Sequence, residues 1–251
     1  MLARLVIILT RVQIRVESRM MPQTSTRDPR TRPGRPRTGE PVVTHEQILS
    51  VALRFFAVNG FEATSVRAIC DELGVSHNFI NERLGTKLDL WRSMVDHYYT
   101  WLLDELRDNV AAHRPDADPV DVLRSYLVRV VELAAEEPNL SRLGTLEAST
   151  ETDRLEYLWS TYIDPTRRLI ATAYRQAVRD GRIRPFPPGV MFFLVNHGAL
   201  APPAHGPMAR RLGMTDPTDP DVVRTTAEFV AELLLSPPSE HSSESSPSRP
   251  Q

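Results

Sequence analysis

Four helix-start signals follow one another between residues 44 and 86, and their close spacing constrains the fold more than any other feature of the sequence. Each is a Ser or Thr, whose hydroxyl caps the free N–H groups of a helix N-terminus. The four residues are Thr44, Thr64, Ser76 and Thr86. Gln47 completes a capping box with the first of them. Gly60 and Gly74 supply helix stops between them, because glycine accepts the left-handed conformation that ends many helices. The pattern predicts three helices, two of them short, followed by a fourth.

Apolar residues recur at helical spacing inside each of these segments. The first stripe consists of Ile48, Leu49, Ala52, Phe55 and Phe56. The second consists of Val66, Ile69 and Leu73, and the third of Phe79 and Ile80. The fourth helix is predicted to run from Lys87 to about Val110. Each stripe predicts one buried face on its helix, so these segments should pack around a common core.

The helical pattern continues through the rest of the chain, without strand-type alternation. The predicted helices span 119–136, 139–148, 151–180 with a bend at Pro165, 188–201 and 219–235. Proline-, arginine- and serine-rich segments flank them and predict disorder. The expected fold is therefore all-α, with an N-terminal three-helix helix-turn-helix domain and a larger helical ligand-binding and dimerisation domain. The predicted parts are a basic arm (1–41), these two domains (42–102 and 103–235) and a tail (236–251).

The charge of the chain is unevenly distributed. Residues 1–40 carry nine arginines against three acidic side chains, a net charge of +6, whereas the whole chain has a net charge of −2. A basic arm on an acidic body favours a polyanionic partner. The arm segment 32–37 is similar to the Gly-Arg-Pro core of AT-hook segments, which insert arginine into the minor groove. The alternative is a basic tail that raises affinity without selectivity.

Several classes of function lack their sequence signatures. Cys70 is the single cysteine, which excludes an internal disulfide framework and a cysteine-rich zinc site and favours a reducing, cytoplasmic location. The sequence contains no zinc-protease, nucleophile-elbow, phosphate-loop or dinucleotide motif, so we expect no enzyme activity and no cofactor. No apolar run approaches the ~20 residues of a membrane span. The apolar residues near Met1 are too few for a signal peptide, and translation from Met20 or Met21 is a plausible alternative.

Two short helices joined by a tight glycine turn and braced by a third are the geometry of a helix-turn-helix. The major groove of DNA admits one such helix, while the preceding helix crosses the backbone. The segment from Ile48 to Trp91 resembles the N-terminal domain of the TetR family of transcriptional regulators. The resemblance rests on Phe55-Phe56, Gly60-Phe61, Thr64-Ser65, Gly74-Val75-Ser76 and the spacing to Lys87 and Leu90.

The resemblance implies a set of DNA-contacting residues. Arg67, His77 and Asn78 are the candidates for reading base edges, since arginine suits guanine and asparagine suits adenine. The candidates for phosphate contacts are Thr64, Asn81, Arg83 and Lys87. The alternative is that Arg67, Arg83 and Lys87 are ordinary solvated charges. Cys70 is interpreted as a small core residue rather than a redox switch.

The resemblance also implies an effector pocket inside the C-terminal helices and a homodimer formed through the last two of them. The candidate pocket residues are Trp101, Tyr126, Trp159, Tyr162, Phe193 and His197. For each aromatic residue, simple core packing is the alternative. The implied function is a homodimeric repressor that binds a near-palindromic operator and is released by an apolar or amphipathic effector. The rival interpretation is a helical ligand-binding or adaptor protein without specific DNA binding, which the acidic balance of residues 41–90 suggests.

Overall fold

The computed structural model describes residues 43–237 of the chain. This part contains thirteen α-helical segments, two π-helical turns and no strand, which confirms the all-α prediction. The basic arm, including segment 32–37, and residues 238–251 of the predicted tail lie outside the described residues. Every helix between residues 43 and 237 is too short or too polar to cross a bilayer.

The N-terminal helices begin and end close to the predicted positions. They are α1 (His45–Ala63), α2 (Val66–Leu73), α3 (Phe79–Leu84) and α4 (Lys87–Ala111). The capping box at Thr44 is confirmed, since its side chain accepts a hydrogen bond from the Gln47 amide at 3.1 Å. Thr86 forms an equivalent box with Asp89, whose amide lies 3.2 Å from the Thr86 hydroxyl. Local hydrogen bonds therefore fix where the two longest of these helices begin.

Two predicted caps are wrong. Gly60 interrupts α1 with φ +74°, but a last helical turn extends to Ala63, so that Ser65 rather than Thr64 caps α2. Helix α3 begins at Phe79, three residues after the predicted cap at Ser76. The Ser76 carbonyl accepts a hydrogen bond from the Phe79 amide in the turn that precedes the helix.

The remaining helices form the larger part of the described chain. They are α5 (Pro119–Glu136), α6 (Pro138–Glu147), α7 (Asp153–Leu158), α8 (Asp164–Leu169), α9 (Ala171–Arg179), α10 (Pro188–Leu194), α11 (Ala201–Ala204), α12 (Gly206–Arg211) and α13 (Pro220–Leu234). Residues 202–211, which lie between the predicted helices 188–201 and 219–235, are helical over much of their length. Helix α13 packs along α5, and α1 packs against both α4 and α6.

The two π-helical turns, Trp159–Ile163 and Val195–Ala199, divide helices that the sequence predicted to be continuous. Each turn lies just before proline, at Pro165 and Pro202 respectively. A proline has no N–H for the carbonyl four residues earlier, so the helical hydrogen-bond pattern must change there. The amide of Asp164 accordingly donates to the Trp159 carbonyl, five residues back. The helix that was predicted to bend at Pro165 is instead interrupted by a wider turn just before that proline.

Two apolar clusters form the core. The first surrounds α1–α4 and also takes in Leu140, Leu143, Leu158 and Tyr162 from later helices. The second lies among α5, α9 and α13. The three-helix domain thus completes its core with side chains from α6, α7 and the first π-helical turn. Movement in those elements reaches the N-terminal helices through direct packing.

Candidate nucleic-acid interface and effector cavity

The turn between α2 and α3 holds the two short helices in a fixed relation. Gly74 has φ +67°, its amide donates to the Asp71 carbonyl at 3.2 Å, and the Val75 amide donates to the Cys70 carbonyl at 3.0 Å. These two bonds are a Schellman motif, which requires a left-handed residue that glycine supplies without a Cβ penalty. Cys70 and Ile80 are fully buried beneath the turn, which agrees with the interpretation of Cys70 as a core residue.

The candidate base-reading side chains lie outside this core. Arg67, His77 and Asn78 are all exposed, whereas Ile69 and Ile80 beside them are fully buried. His77 Nδ1 lies 3.6 Å from an Asp71 carboxylate oxygen. The exposed positions thus form a polar surface on a rigid apolar base. A surface of this kind is what entry into a DNA groove requires.

Thr64 is not part of that surface. It is 3% exposed, and its hydroxyl donates to the carbonyl of Gly60 at 2.7 Å and lies 3.1 Å from that of Phe55. The hydroxyl is turned inward because the last turn of α1 moves the start of α2 by one residue. Ser65 occupies the exposed N-terminal position instead, and its side chain accepts a hydrogen bond from the Ala68 amide.

The other candidate phosphate contacts remain on the surface. Asn81 and Arg83 are exposed, and the Arg83 guanidinium lies 5.0 Å from the centroid of the Phe79 ring. Lys87 is half-buried, with Nζ 3.0 Å from the Glu62 carbonyl and 4.6 Å from the Phe61 ring centroid. An ammonium group has three N–H donors, so Lys87 keeps donors for a further acceptor.

A cavity of about 190 Å³ lies between the long helix α4 and the later helices. Four of the six predicted pocket residues line it: Tyr126, Tyr162, Phe193 and His197. Trp101 instead packs between the two apolar clusters, and Trp159 lies on the outer surface, 43% exposed. Trp159 and Tyr162 would share one face of an α-helix, but the π-helical turn that contains both gives them different directions.

Most of the lining was missed by a search for aromatic residues. Much of it is aliphatic and follows helical spacing on α4 and α5, as at Leu102, Leu106, Leu127 and Val130. The prolines at 165 and 202 were better indicators of the cavity, because each lies beside a π-helical turn that contributes to its wall. Such turns are frequent at functional sites.

Tyr162 connects the cavity wall to α4. Its hydroxyl donates to Asp96 Oδ1 at 2.7 Å, and the Tyr157 hydroxyl donates to the same oxygen at 2.6 Å. Burial raises the pKa of Tyr157 to about 12 and also raises that of Tyr162, so both phenols stay protonated and can donate. The first π-helical turn is therefore tied to the long helix through one carboxylate.

A second set of contacts connects α7 to the residues just before α2. Arg154 Nε lies 3.0 Å from Glu147 Oε2, and its Nη1 lies 3.5 Å from the carboxylate of Glu62. The same guanidinium is 4.0 Å from the Phe61 ring centroid. Burial raises the pKa of Glu147, and the charge of Arg154 opposes that rise. These contacts cross from the helices around the cavity to the helix-turn-helix.

Comparison with known proteins agrees with this architecture. Residues 48–94 match the family model described as bacterial regulatory proteins, tetR family. No curated protein matches the chain. Among solved structures, the TetR family transcriptional regulator PfmR from Thermus thermophilus is 19% identical with a TM-score of 0.56, covering 79% of this chain and 98% of its own.

Two further similar structures contain ligands. The transcriptional regulator FadR from Bacillus subtilis, in complex with stearoyl-CoA, is 17% identical with a TM-score of 0.56, over 77% of this chain and 98% of its own. AibR, in complex with isovaleryl coenzyme A and operator DNA, is 18% identical with a TM-score of 0.57, over 76% of this chain and 98% of its own.

The fold and the exposed second helix of the turn define a helix-turn-helix protein with a larger helical domain. More specifically, the chain has the fold of the TetR-family regulators, and its residues 48–94 match the model of that family.

Proposed function

We propose that this chain is a homodimeric transcriptional repressor that binds a near-palindromic operator and leaves it when a small molecule occupies the cavity. The observation that carries the proposal is the placement of Arg67, His77 and Asn78, exposed over a fully buried Ile80. These side chains, on α2 and just before α3, are exposed for contact with base edges, while the buried apolar side of the two helices fixes their orientation.

The DNA interface combines base reading and phosphate anchoring. Arg67, His77 and Asn78 read bases, and Asn81, Arg83 and Lys87 bind phosphates. Ser65 joins the phosphate set in place of the buried Thr64. It is exposed at the N-terminus of α2, where free N–H groups and the helix dipole favour an anion. The matched TetR-type domain supports this assignment, as does the operator DNA bound to AibR.

The homodimer forms through an exposed apolar face on α10 and α13. Phe229 and Leu233 are 67% and 63% exposed, and Phe193 and Leu194 on α10 are 58% and 50% exposed. Val223, Ala227 and Leu234 on α13 are buried against the chain's own core and are not part of this face. Two-fold symmetry then sets two recognition helices in successive major grooves, which requires a near-palindromic site.

The effector acts through α4, which the cavity and the DNA-binding domain share. Tyr162 in the cavity wall holds Asp96 on that helix, and Thr86 and Lys87 at its other end adjoin α3. A ligand that changes the cavity wall therefore changes the spacing of the two recognition helices. Thermodynamic reciprocity requires that operator DNA weaken effector binding by the same factor. In this proposal the protein is cytoplasmic, and it acts by binding rather than by catalysis.

A fluorescent-duplex titration of the full chain tests the proposal. Genomic footprinting first identifies a bound site, and a duplex of that sequence is then titrated at two salt concentrations. The regulator should bind in the nanomolar range, with a steep loss of affinity as salt rises, because phosphate contacts release counterions. Equal affinity for the footprinted site and a scrambled duplex, or no binding at all, would instead favour the adaptor interpretation.

A further inference from the structure

The cavity wall is built mainly from aliphatic and aromatic side chains. Six of its apolar residues, drawn from four elements, are Leu102, Leu106, Leu127, Val130, Ile163 and Met191. The volume of about 190 Å³ is comparable with an apolar cavity of roughly 150 Å³ that admits benzene. The cavity in this conformation thus suits a molecule with about the bulk of one ring or a short alkyl chain.

The tyrosine hydroxyls in the wall already donate hydrogen bonds within the protein. Tyr99 donates to the Leu140 carbonyl and Tyr126 to the Thr166 carbonyl, each over 3.4 Å. Tyr162 donates to Asp96. Each phenol has one hydrogen, so none of the three has a proton to offer an anionic ligand without breaking an existing bond.

Three of the smaller polar groups of the wall also donate hydrogen bonds within the protein. Thr145 donates to the Ser141 carbonyl at 2.9 Å, Thr166 to the Tyr162 carbonyl at 2.7 Å, and the Asn196 amide to the Phe192 carbonyl at 2.9 Å. The Asn196 side-chain oxygen and the tyrosine oxygens keep acceptor capacity. The wall therefore accepts a hydrogen bond from a ligand hydroxyl more readily than it donates to a carboxylate.

The cationic groups of the wall are exposed to solvent. Among the lining residues, all of which belong to the described part of the chain, Arg167 is the only Arg or Lys. The Arg167 side chain is exposed, and its guanidinium shares the Asp164 carboxylate with Arg168, whose Nη2 lies 2.6 Å from Asp164 Oδ2. His197 is also exposed and stacks on the Phe193 ring. A ligand anion buried among the aliphatic side chains would therefore lack a buried cation to offset its desolvation.

We infer that the effector of this cavity is a small uncharged lipophile, such as an alcohol of single-ring or short-chain size, and that the cavity discriminates against the carboxylate of the same carbon skeleton. This inference rests on the proposed function for its regulatory meaning. Its physical basis is an apolar wall whose tyrosine and threonine hydroxyls donate within the protein and whose one guanidinium is exposed to solvent.

Isothermal titration of the full chain with matched pairs tests the inference. The probes are octan-1-ol against octanoate and benzyl alcohol against benzoate, at neutral pH. Each alcohol should bind at least about 100-fold more tightly than its acid, because the acid must bury an uncompensated charge. The inference would be overturned if either acid bound as tightly as its alcohol or more tightly, or if neither alcohol bound.

Two variants place the binding in the cavity. Ala148 lines the cavity yet is exposed, so Ala148→Trp blocks the opening without straining the core, and Leu146→Trp is a control at an exposed position outside the lining. Ala148→Trp should weaken alcohol binding at least about tenfold, and Leu146→Trp should leave it unchanged. Retained binding in Ala148→Trp would overturn the inference.

The variant Arg167→Gln tests the charge argument directly. It should leave the preference for the alcohol in place, whereas octanoate binding that depends on Arg167 would contradict the inference. These titrations contain no DNA, so their outcome is separate from that of the operator experiment. If the chain binds operator DNA but prefers octanoate, the proposed function stands and this inference is wrong. If the chain binds the alcohol in the cavity but does not bind DNA, this inference stands and the proposed function is wrong.

Discussion

The guanidinium of Arg154 lies 4.0 Å from the ring centroid of Phe61, although the two residues are far apart in the chain. The same group pairs with Glu147, which is 5% exposed, and reaches Glu62 beside that ring. Arg154 belongs to α7, which leads directly into the π-helical turn that contains Tyr162. One side chain therefore joins the helices around the cavity to the entrance of the helix-turn-helix.

Removing the Arg154 guanidinium should show how much free energy the burial of the Glu147 carboxylate costs. We expect Arg154→Ala to lower the free energy of unfolding at neutral pH by about 3 kcal/mol, since it leaves Glu147 buried without its partner. Chemical denaturation followed by circular dichroism measures the loss. The double variant Arg154→Ala with Glu147→Gln is the control and should recover most of it. A loss that persists in the double variant would show that packing of Arg154 on Phe61 matters more than charge.

The same variant should respond to pH in a defined direction. Burial raises the pKa of Glu147 in the folded chain, and loss of Arg154 raises it further. A carboxyl whose folded pKa is raised favours the folded state at low pH and opposes it as the pH rises through that pKa. The loss of unfolding free energy caused by Arg154→Ala should therefore be smaller at about pH 5 than at about pH 8. A deficit that is constant across this range would contradict the assignment to Glu147.

The exposed polar surface around α2 and α3 predicts two kinds of DNA-binding defect. Arg67→Ala should cost about 1–3 kcal/mol of binding free energy and relax sequence preference, because it removes the proposed base contact. Arg83→Ala should weaken binding to all duplexes alike and lower the salt slope by about 1, because it removes the proposed phosphate contact. Fluorescence anisotropy with operator and scrambled duplexes separates the two patterns. Arg179→Ala, an exposed arginine on α9, is the matched control and should bind like the original chain.

Thr64 should act through stability rather than through DNA contact. The variant Thr64→Val loses the inward hydroxyl bond to Gly60 and should destabilise the fold by about 1 kcal/mol. Below its melting range, its affinity for operator DNA should remain that of the original chain. Ser65→Ala is the comparison, since it removes an exposed N-terminal hydroxyl and should weaken both the helix cap and the DNA contact. A selective DNA-binding defect in a stable Thr64→Val would restore the direct role first expected for Thr64.

The apolar face on α10 and α13 predicts a dimer that a single charge can disrupt. Phe229→Glu should shift the chain towards monomer in sedimentation experiments. It should also reduce the affinity for operator DNA, because a monomer binds through one recognition helix rather than two. Val58→Glu is the matched control, since Val58 is 64% exposed on α1, outside that face. A Phe229→Glu chain that remains dimeric would place the interface elsewhere.

The amino-acid sequence alone determined that three helices and a tight glycine turn lie between residues 44 and 86, although it misplaced the starts of α2 and α3. Capping boxes at Thr44 and Thr86, and the left-handed glycine at 74, act over three to five residues, so their hydrogen bonds can be predicted from local order. The apolar spacing predicted that Ile80 is buried, whereas the choice of Arg67, His77 and Asn78 as surface contacts came from the family resemblance.

Only the tertiary structure decided which side chains share a space. It turned Thr64 inward, placed Trp159 outside the cavity that Tyr162 lines, and brought Arg154 onto Phe61. The cavity wall draws on several helices, and two π-helical turns change the direction of the residues that follow them. Helical periodicity specifies one face of one helix, but the composition of a cavity depends on how several helices pack, which is set by contacts between residues distant in sequence.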